Sequence, residues 1–285
     1  MRWRKGRRSS NVEDRRGQRL GGGGVLKGGV GTIVIALALS YFLGIDPSVL
    51  LQMQQGMAPP TETEAVDYQP TAEEQRMADF VSVVLADTED TWHAIFKRAG
   101  RTYQEPRLVL FSGSVRSACG MASAAMGPFY CPADKKVYID LSFFNDLKQR
   151  HGAPGDFAQA YVIAHEIGHH VQTLLGTSKE VRAAQEGMSK ADANALSVKL
   201  ELQADCYAGL WGNHADRSRQ VLEQGDVDEA LNAATAIGDD RLQKQAQGYV
   251  VPESFTHGSS KQRVHWFKQG LKRGDTSACN TFSSR

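Results

Sequence analysis

Residues 156–176 restrict the fold of this chain more than any other stretch. They read DFAQAYVIAHEIGHHVQTLLG, an apolar helix pattern in which Asp156 can cap the start and Gly176 can end the helix in a left-handed conformation. Within this apolar helix stand two histidines four residues apart, His165 and His169. Residues at that spacing share one helix face, so both imidazoles can face the same ion. The fold must therefore place a polar site on a helix that belongs to the core.

Glu166 follows the first histidine and completes the pattern His-Glu-x-x-His. Zinc binds imidazoles and anionic ligands in a tetrahedral arrangement, and a catalytic site keeps one position open for water. Glu166 lies beside the ligand face, so it is a candidate general base toward a metal-activated water rather than a ligand. His170 points about 100° away from His169 and is expected to be structural. Because the five-residue pattern also arises by chance, a third ligand is needed.

The third ligand is expected on a later helix. Metzincins place a glycine and a histidine three and six residues after the second histidine, and those positions are Gln172 and Leu175 here. Glu201 is the best remaining candidate. Asp205 lies four residues further on the same helix face, where it can accept the outer N–H of a ligand histidine. Glu180 and Glu186 are alternative third ligands, but neither has an acidic residue four positions later.

The first part of the chain combines a basic segment with an uncharged one. Residues 1–28 contain nine Lys or Arg against two acids, and residues 28–45, GGVGTIVIALALSYFLGI, carry no charge. As a helix the latter would be roughly 27 Å long, close to a bilayer core. We therefore expect a cytoplasmic basic head (1–27), a single transmembrane anchor (28–45) and a linker (46–70). A cleaved signal peptide, or a basic tail followed by a core helix, are the alternatives.

The body, residues 71–285, contains all four cysteines and is mildly acidic. A nucleic-acid-binding body would be basic, so no nucleic acid partner is expected. Four cysteines in an oxidising compartment permit two disulfides in three pairings. We expect Cys119 to pair with Cys131 and Cys206 with Cys279, whereas buried free thiols would fit a cytosolic body.

Helix and strand patterns predict an α+β fold for the body, mostly helical with a small β-sheet. Thr71-Ala-Glu-Glu74 fits a capping box, and the helix that follows should run to about Lys97. VYIDLSFF (137–144) is either an edge strand that binds an extended peptide or an ordinary core strand. The remaining strands and helices are expected at 107–113, 135–144, 189–214, 227–247 and 259–272.

Several blocks of the sequence are long and distinctive. HEIGHHVQ (165–172), ELQADCYAG (201–209), ACGMASAAMGPFYCP (118–132) and THGSSKQRV (256–264) are the clearest, with VYIDLSFF and the closing ACNTF. Over roughly residues 70–282 these blocks resemble the bacterial membrane-anchored neutral zinc metallopeptidases. The resemblance implies a zincin-like peptidase domain behind an N-terminal anchor, with a peptide or protein as substrate. It implies no particular substrate.

His-Glu-x-x-His on one helix and Glu-x-x-x-Asp on another is also the arrangement of gluzincins. This similarity implies that one Zn²⁺ is held by three ligands, with a base beside it and an aspartate behind a ligand histidine. Carried over to this chain, the ligands are His165, His169 and Glu201, the base is Glu166, and the aspartate is Asp205.

A weaker similarity concerns residues 257–263. Integral-membrane gluzincins that process prenylated proteins carry His-Pro-x-x-x-x-Arg near the active site, and this chain has His257 and Arg263 at that spacing, with Gly258 replacing the proline. By analogy His257 would donate to the tetrahedral oxyanion and Arg263 would order the active-site carboxylates. The alternative is a loop at a helix start followed by a surface arginine.

The sequence thus predicts a zinc-dependent endopeptidase in the cytoplasmic (inner) membrane, with its N-terminus in the cytoplasm and its body facing the periplasm or the cell exterior. The competing hypothesis is a membrane-tethered scaffold or binding protein with a structural or degenerate zinc site. A structural zinc usually has four protein ligands, whereas a catalytic zinc has three and a water molecule. The occupant of the fourth coordination position therefore distinguishes the two hypotheses. The sequence does not indicate an oligomeric state.

Overall fold

The computed structural model describes residues 1–20, 63–65 and 68–283. The chain divides into two compact units, one formed by Met1–Arg15 with Pro70–Arg285 and the other by Arg16–Gln69. In the second unit, strands β2 (Gln18–Leu20) and β3 (Thr63–Ala65) pair antiparallel. The predicted anchor (28–45) lies outside the described residues. Among the residues that are described, none belongs to a helix both long and apolar enough for a membrane span.

The first unit is mostly helical, which confirms the α+β class with small sheets. Its described α-helices are α1 (Ala72–Arg98), α2 (Ser142–Gln149), α3 (Asp156–Leu175), α4 (Thr177–Gln185), α5 (Lys190–Arg219), α6 (Asp226–Ala236), α7 (Asp239–Gln247) and α8 (Ser260–Arg273). The single helix expected over 227–247 is two helices, α6 and α7, which break at Gly238. A Cβ on Gly238 would lie 2.5 Å from the backbone nitrogen of Ser260, so the start of α8 occupies this break.

The helix ends largely follow the local signals of the sequence. Thr71 and Glu74 form the expected capping box at the start of α1, and Gly176 ends α3 with φ 91°. The expected cap by Asp156 is wrong. Gly155 occupies the cap position without a side-chain hydrogen bond, and the Glu229 carboxylate accepts the backbone N–H of Phe157 instead, at 3.0 Å.

A four-stranded sheet packs against the helices, in the order β1 (Val12–Asp14), β4 (Arg107–Phe111), β8 (Lys136–Asp140), β7 (Phe129–Cys131). The pairs β1–β4 and β4–β8 are parallel, and β7 runs antiparallel to β8. The edge-strand interpretation of 137–144 is therefore wrong, because β7 covers that side of β8. Residues 142–144 belong to α2 and not to the strand.

A disulfide-linked hairpin connects β4 to β7. Strands β5 (Ser114–Ser117) and β6 (Gly120–Ser123) pair antiparallel, and a short 3₁₀ helix follows at Ala124–Met126. Cys119, between the two strands, is bonded to Cys131 on β7. The other disulfide joins Cys206 on α5 to Cys279. Both pairings match the expected ones.

Small residues let α3, α5 and α8 approach closely. A Cβ added to Gly168 on α3 would lie 3.0 Å from the Cα of Ala204 on α5. At the crossing of α5 with α8, a Cβ on Gly270 would lie 1.9 Å from the carbonyl oxygen of Cys206. Larger residues at either glycine would push the helices apart. This close packing brings the acids of α5 next to the histidines of α3.

Residues 1–15 pack on the body, whereas the sequence assigned them to a separate head. The Glu89 carboxylate on α1 is buried and accepts hydrogen bonds from Arg7 Nη2 at 2.9 Å and the Ser9 hydroxyl at 2.5 Å. Strand β1 extends the sheet beside β4. Residues 1–15 therefore belong to the same compact unit as the body.

Candidate metal centre

Helices α3 and α5 bring together the three side chains expected as metal ligands. The Nε2 atom of His165 lies 3.2 Å from Nε2 of His169 and 3.1 Å from Oε2 of Glu201. Nε2 of His169 lies 3.4 Å from Oε1 of Glu201. Ligand atoms about 2.0–2.1 Å from a tetrahedral zinc are roughly 3.3 Å apart. The three side chains are thus spaced like one face of a zinc tetrahedron.

The outer nitrogen of each histidine faces a hydrogen-bond acceptor. Asp205 Oδ1 lies 2.8 Å from Nδ1 of His165, and Gln172 Oε1 lies 2.9 Å from Nδ1 of His169. Both Nδ1 atoms must therefore carry the proton, which leaves a lone pair on each Nε2 when the rings are neutral. These lone pairs converge with the Glu201 carboxylate. Atoms this close need positive charge between them, which either a proton or a metal cation can supply, and the donor set fits zinc.

Asp205 is fully buried and connects His165 to two further residues. It accepts hydrogen bonds from the Tyr161 hydroxyl at 2.5 Å, from Arg263 Nε at 2.9 Å and from Arg263 Nη2 at 3.0 Å. Arg263 is only 2% exposed and also donates to the carbonyl of Ile237 at 3.3 Å. The alternative of a surface arginine is therefore wrong. Arg263 neutralises the aspartate that orients His165.

The electrostatic field of this cluster favours positive charge at the ligands. Burial by itself would lower the pKa of His165, but Asp205 and Glu201 raise it to about 10. Burial likewise opposes protonation of His169, yet Glu201 raises its pKa. Burial would raise the pKa of Glu201, but the two histidines hold it well below its usual value. The same field that attracts protons favours a divalent cation.

Glu166 lies beside the ligands and lines the same cavity. Its side chain is buried, and this burial raises the pKa of its carboxyl against the lowering effect of His169 and His165. A carboxylate made more basic by its surroundings is a better proton acceptor near neutral pH.

A cavity of about 540 Å³ opens in front of the ligands. One wall is the segment Ala124–Tyr130, which the Cys119–Cys131 disulfide holds, and Phe143 and Leu242 add further apolar surface. A second cavity of about 250 Å³ also touches His169 and Glu201, with polar lining residues Thr173, Ser178, Arg182, Gln185 and Ser197. Space for a ligand therefore exists at two places around the cluster.

His257 also lines the larger cavity, and its side chain is half-exposed. Its Nδ1 atom lies 3.3 Å from Asp239 Oδ1, and the hydrogen bond to Asp239 raises its pKa despite burial. Gly258 has φ +88° and donates its N–H to Asp239 Oδ2 at 3.0 Å. Proline can neither adopt a positive φ nor donate this bond, which explains the glycine at this position.

The other candidate residues lie away from the ligands. His170 is fully buried, with Nε2 2.6 Å from the Gln104 carbonyl and Nδ1 3.1 Å from the Tyr130 hydroxyl. Glu180 and Glu186 belong to neither group of potential metal ligands found among the described residues. The second such group is acidic and consists of Asp156, Asp226 and Glu229. Asp156 and Asp226 accept hydrogen bonds from the amino group of Met1.

Gln172 is the site residue that the sequence analysis missed. The sequence pattern identified Gln172 only as the position where metzincins have glycine. In the structure its Oε1 atom lies 2.9 Å from Nδ1 of His169. The available signal was its spacing, because a residue three positions after His169 lies on the same helix face.

The similarity of this chain to known proteins extends over nearly its whole length. The family described as "Putative neutral zinc metallopeptidase" matches residues 1–282. The chain is 52% identical over 290 residues to "Uncharacterized protein YpfJ" of Escherichia coli (strain K12), covering 99% of both chains. It is 40% identical over 255 residues to "Uncharacterized protein Rv2575" of Mycobacterium tuberculosis (strain ATCC 25618 / H37Rv), covering 86% of this chain and 85% of the relative. No solved structure matches.

Proposed function

The chain belongs to the family of "putative neutral zinc metallopeptidases", and we propose that it is a zinc-dependent endopeptidase. The observation that carries this proposal is the convergence of two imidazole nitrogens and one carboxylate oxygen beside a buried glutamate in an open cavity. His165, His169 and Glu201 would hold one Zn²⁺. Zinc, when bound, polarises a carbonyl group and lowers the pKa of water.

Glu166 would move the proton in the reaction. Its carboxylate accepts a proton from the attacking water and then delivers it to the nitrogen of the leaving amine, so one group acts first as base and then as acid. His257 would stabilise the charge that develops on the substrate carbonyl oxygen, because its raised pKa favours the doubly protonated form that can donate. Arg263 would act through Asp205 and His165.

An endopeptidase needs room for substrate on both sides of the cleaved bond. Two cavities, of about 540 and 250 Å³, share His169 and Glu201 as lining residues. Strand β7 is at the edge of the described sheet, and its residues Phe129 and Tyr130 line the larger cavity. A free strand edge can bind an extended peptide through backbone hydrogen bonds. These features support cleavage within a chain rather than at its end.

The number of protein ligands separates this proposal from the competing scaffold. The group formed by His165, His169 and Glu201 has three members among the described residues. A structural zinc site usually has four protein ligands and no open position. Three ligands beside an open cavity favour catalysis.

Location at a membrane stays a prediction. Two disulfides favour an oxidising compartment for the body. The packing of residues 1–15 on the body restricts the possible membrane topologies. If the head were cytoplasmic and the body external, the membrane would separate these contacting parts. We therefore propose that residues 1–15 share the side of the body, which replaces the cytoplasmic N-terminus expected from the positive-inside rule.

The proposal is tested by replacing the base. The Glu166→Gln variant should lose about 10²- to 10⁴-fold in the rate of peptide hydrolysis, measured by mass spectrometry on a proteome-derived peptide library, and should keep its zinc. Glu180→Gln, an exposed glutamate of α4, is the matched control and should cleave like wild type. Cleavage by Glu166→Gln at the wild-type rate would contradict the mechanism, and failure of zinc-loaded wild type to cleave would favour the scaffold.

A further inference from the structure

The hydrogen bond behind His169 continues across two helices. Gln172 on α3 is fully buried, and its Nε2 donates to the Leu200 carbonyl at 2.7 Å and to Gln203 Oε1 at 3.1 Å. Gln203 on α5 in turn donates from Nε2 to the Cys279 carbonyl at 3.0 Å. Two neutral amides thus connect a ligand histidine to a backbone carbonyl near the end of the chain.

Only one orientation of these amides satisfies every contact. The carbonyls of Leu200 and Cys279 can only accept, so each must face an amide nitrogen. Nε2 of Gln203 is then used at Cys279, and its Oε1 faces Gln172. Nε2 of Gln172 faces Leu200 and Gln203, which leaves its Oε1 as the acceptor for His169. Two backbone carbonyls therefore determine which ring nitrogen of His169 carries the proton.

Cys279 holds one of these carbonyls in place. It is fully buried and is bonded to Cys206 on α5, with 5.5 Å between the two Cα atoms. The hydroxyl of Thr281 donates to the Lys199 carbonyl at 2.7 Å, a second attachment of this segment to α5. The position of the Cys279 carbonyl relative to Gln203 thus depends on the disulfide.

The two ligand histidines are therefore oriented by different chemistry. Asp205 orients His165 through a carboxylate that Arg263 neutralises. The ring of His169 is oriented by the uncharged amides of Gln172 and Gln203. These amides keep their orientation only while the Leu200 and Cys279 carbonyls accept their hydrogen bonds.

We propose that Gln172 is a positioning residue for His169, and that Gln203 and the Cys206–Cys279 disulfide set zinc affinity through it. This inference rests on the proposed function only in that the ion is zinc. If the amide of Gln172 is lost, the ring of His169 can rotate or change tautomer, and Nε2 no longer faces the ion. Loss of such a partner typically costs 10- to 100-fold in metal affinity.

The experiment measures zinc dissociation constants of the whole protein by competition with a chromophoric chelator. Gln172→Met keeps the side-chain length and removes both polar atoms, and should weaken zinc binding about 10- to 100-fold. Gln172→Glu keeps an acceptor oxygen and should recover part of this loss. Gln203→Met should weaken binding by a smaller factor in the same direction. Gln243→Met on α7 is the control, because Gln243 also makes two hydrogen bonds, donating to the Ser254 hydroxyl and accepting from the Val251 N–H. It contacts no ligand histidine and lines neither cavity at the cluster.

The disulfide is tested with a matched pair of double variants. Cys206→Ser with Cys279→Ser should weaken zinc binding, whereas Cys119→Ser with Cys131→Ser should leave it unchanged. Equal losses in both would show a general effect of disulfide removal and would overturn the coupling. Thermal unfolding of each zinc-free variant checks that the protein is folded at the assay temperature.

A spectroscopic readout separates positioning from general stability. In ¹⁵N-histidine NMR of the zinc-loaded protein, the Nδ1–H signal of His169 should shift in Gln172→Met and stay unchanged in Gln243→Met. Zinc affinity of Gln172→Met within twofold of wild type would overturn the proposal. Because affinity is measured without turnover, this failure is distinct from the Glu166→Gln result, which concerns hydrolysis alone.

Discussion

Replacing Arg263 by methionine should destabilise the protein chiefly by leaving the buried Asp205 carboxylate without its counter-charge. Arg263 is 2% exposed and its partner Asp205 is fully buried. Two hydrogen bonds at 2.9 and 3.0 Å join them, and their side chains are only 3% and 0% exposed to solvent. Methionine preserves most of the volume and the apolar packing but removes the charge. The Asp205 carboxylate would then keep only Tyr161 and His165 as donors.

The size of the effect follows from leaving a buried charge without its counter-charge. Breaking a buried ion pair by removing one partner costs about 3–5 kcal/mol. For a domain of this size that corresponds to a fall in melting temperature on the order of 10 °C. Arg219→Met is the matched control. Arg219 pairs with Asp87, but its side chain is 31% exposed, so solvent screening should make the loss distinctly smaller.

Urea unfolding of the zinc-loaded proteins, followed by circular dichroism, measures both free energies. The double variant Arg263→Met with Asp205→Leu should be less destabilised than the sum of the two single variants, because it leaves no unpaired charge. A loss below about 1 kcal/mol for Arg263→Met would refute the reasoning, since it would mean that Asp205 is hydrated or neutral in the folded protein.

Three further predictions concern other parts of the molecule. His257→Ala should lower kcat about 10²- to 10³-fold with zinc affinity unchanged, and an unaltered kcat would exclude the oxyanion role. Gly258→Pro should be less stable in thermal unfolding than Gly258→Ala, because proline cannot reach φ +88° and cannot donate to Asp239; equal stability would contradict this. Cysteines introduced at the exposed positions Lys5 and Lys244 should react with an impermeant maleimide from the same side of the membrane, and labelling from opposite sides would show that residues 1–15 do not pack on the body.

The centre of the fold was predictable because its signals are local. The apolar helix around His165 and His169 carries its own C-terminal signal, Gly176. Glu201 and Asp205 are four residues apart, so their common helix face follows from helix geometry alone. The sequence also distinguished His170 from the ligands by its angle on the helix. Each of these inferences needs only neighbours within one or two turns.

Features that depend on distant partners could not be predicted. The role of Gln172 depends on the Leu200 carbonyl and on Gln203, and both lie on another helix. The first segment has the composition of a solvated tail. In the structure, however, Arg7 donates a hydrogen bond to the buried Glu89, some eighty positions further along the chain. Strand β7 is three residues long, too short for an alternating pattern to appear.

X-ray absorption at the zinc edge of the purified protein tests the central claim most directly. The account predicts one zinc per chain with two imidazole nitrogens and oxygen ligands at about 2.0–2.2 Å, one of the oxygens coming from water. The spectrum should lose one imidazole in His169→Ala. Sulfur ligands, a full set of four protein ligands, or an unchanged spectrum in His169→Ala would contradict it.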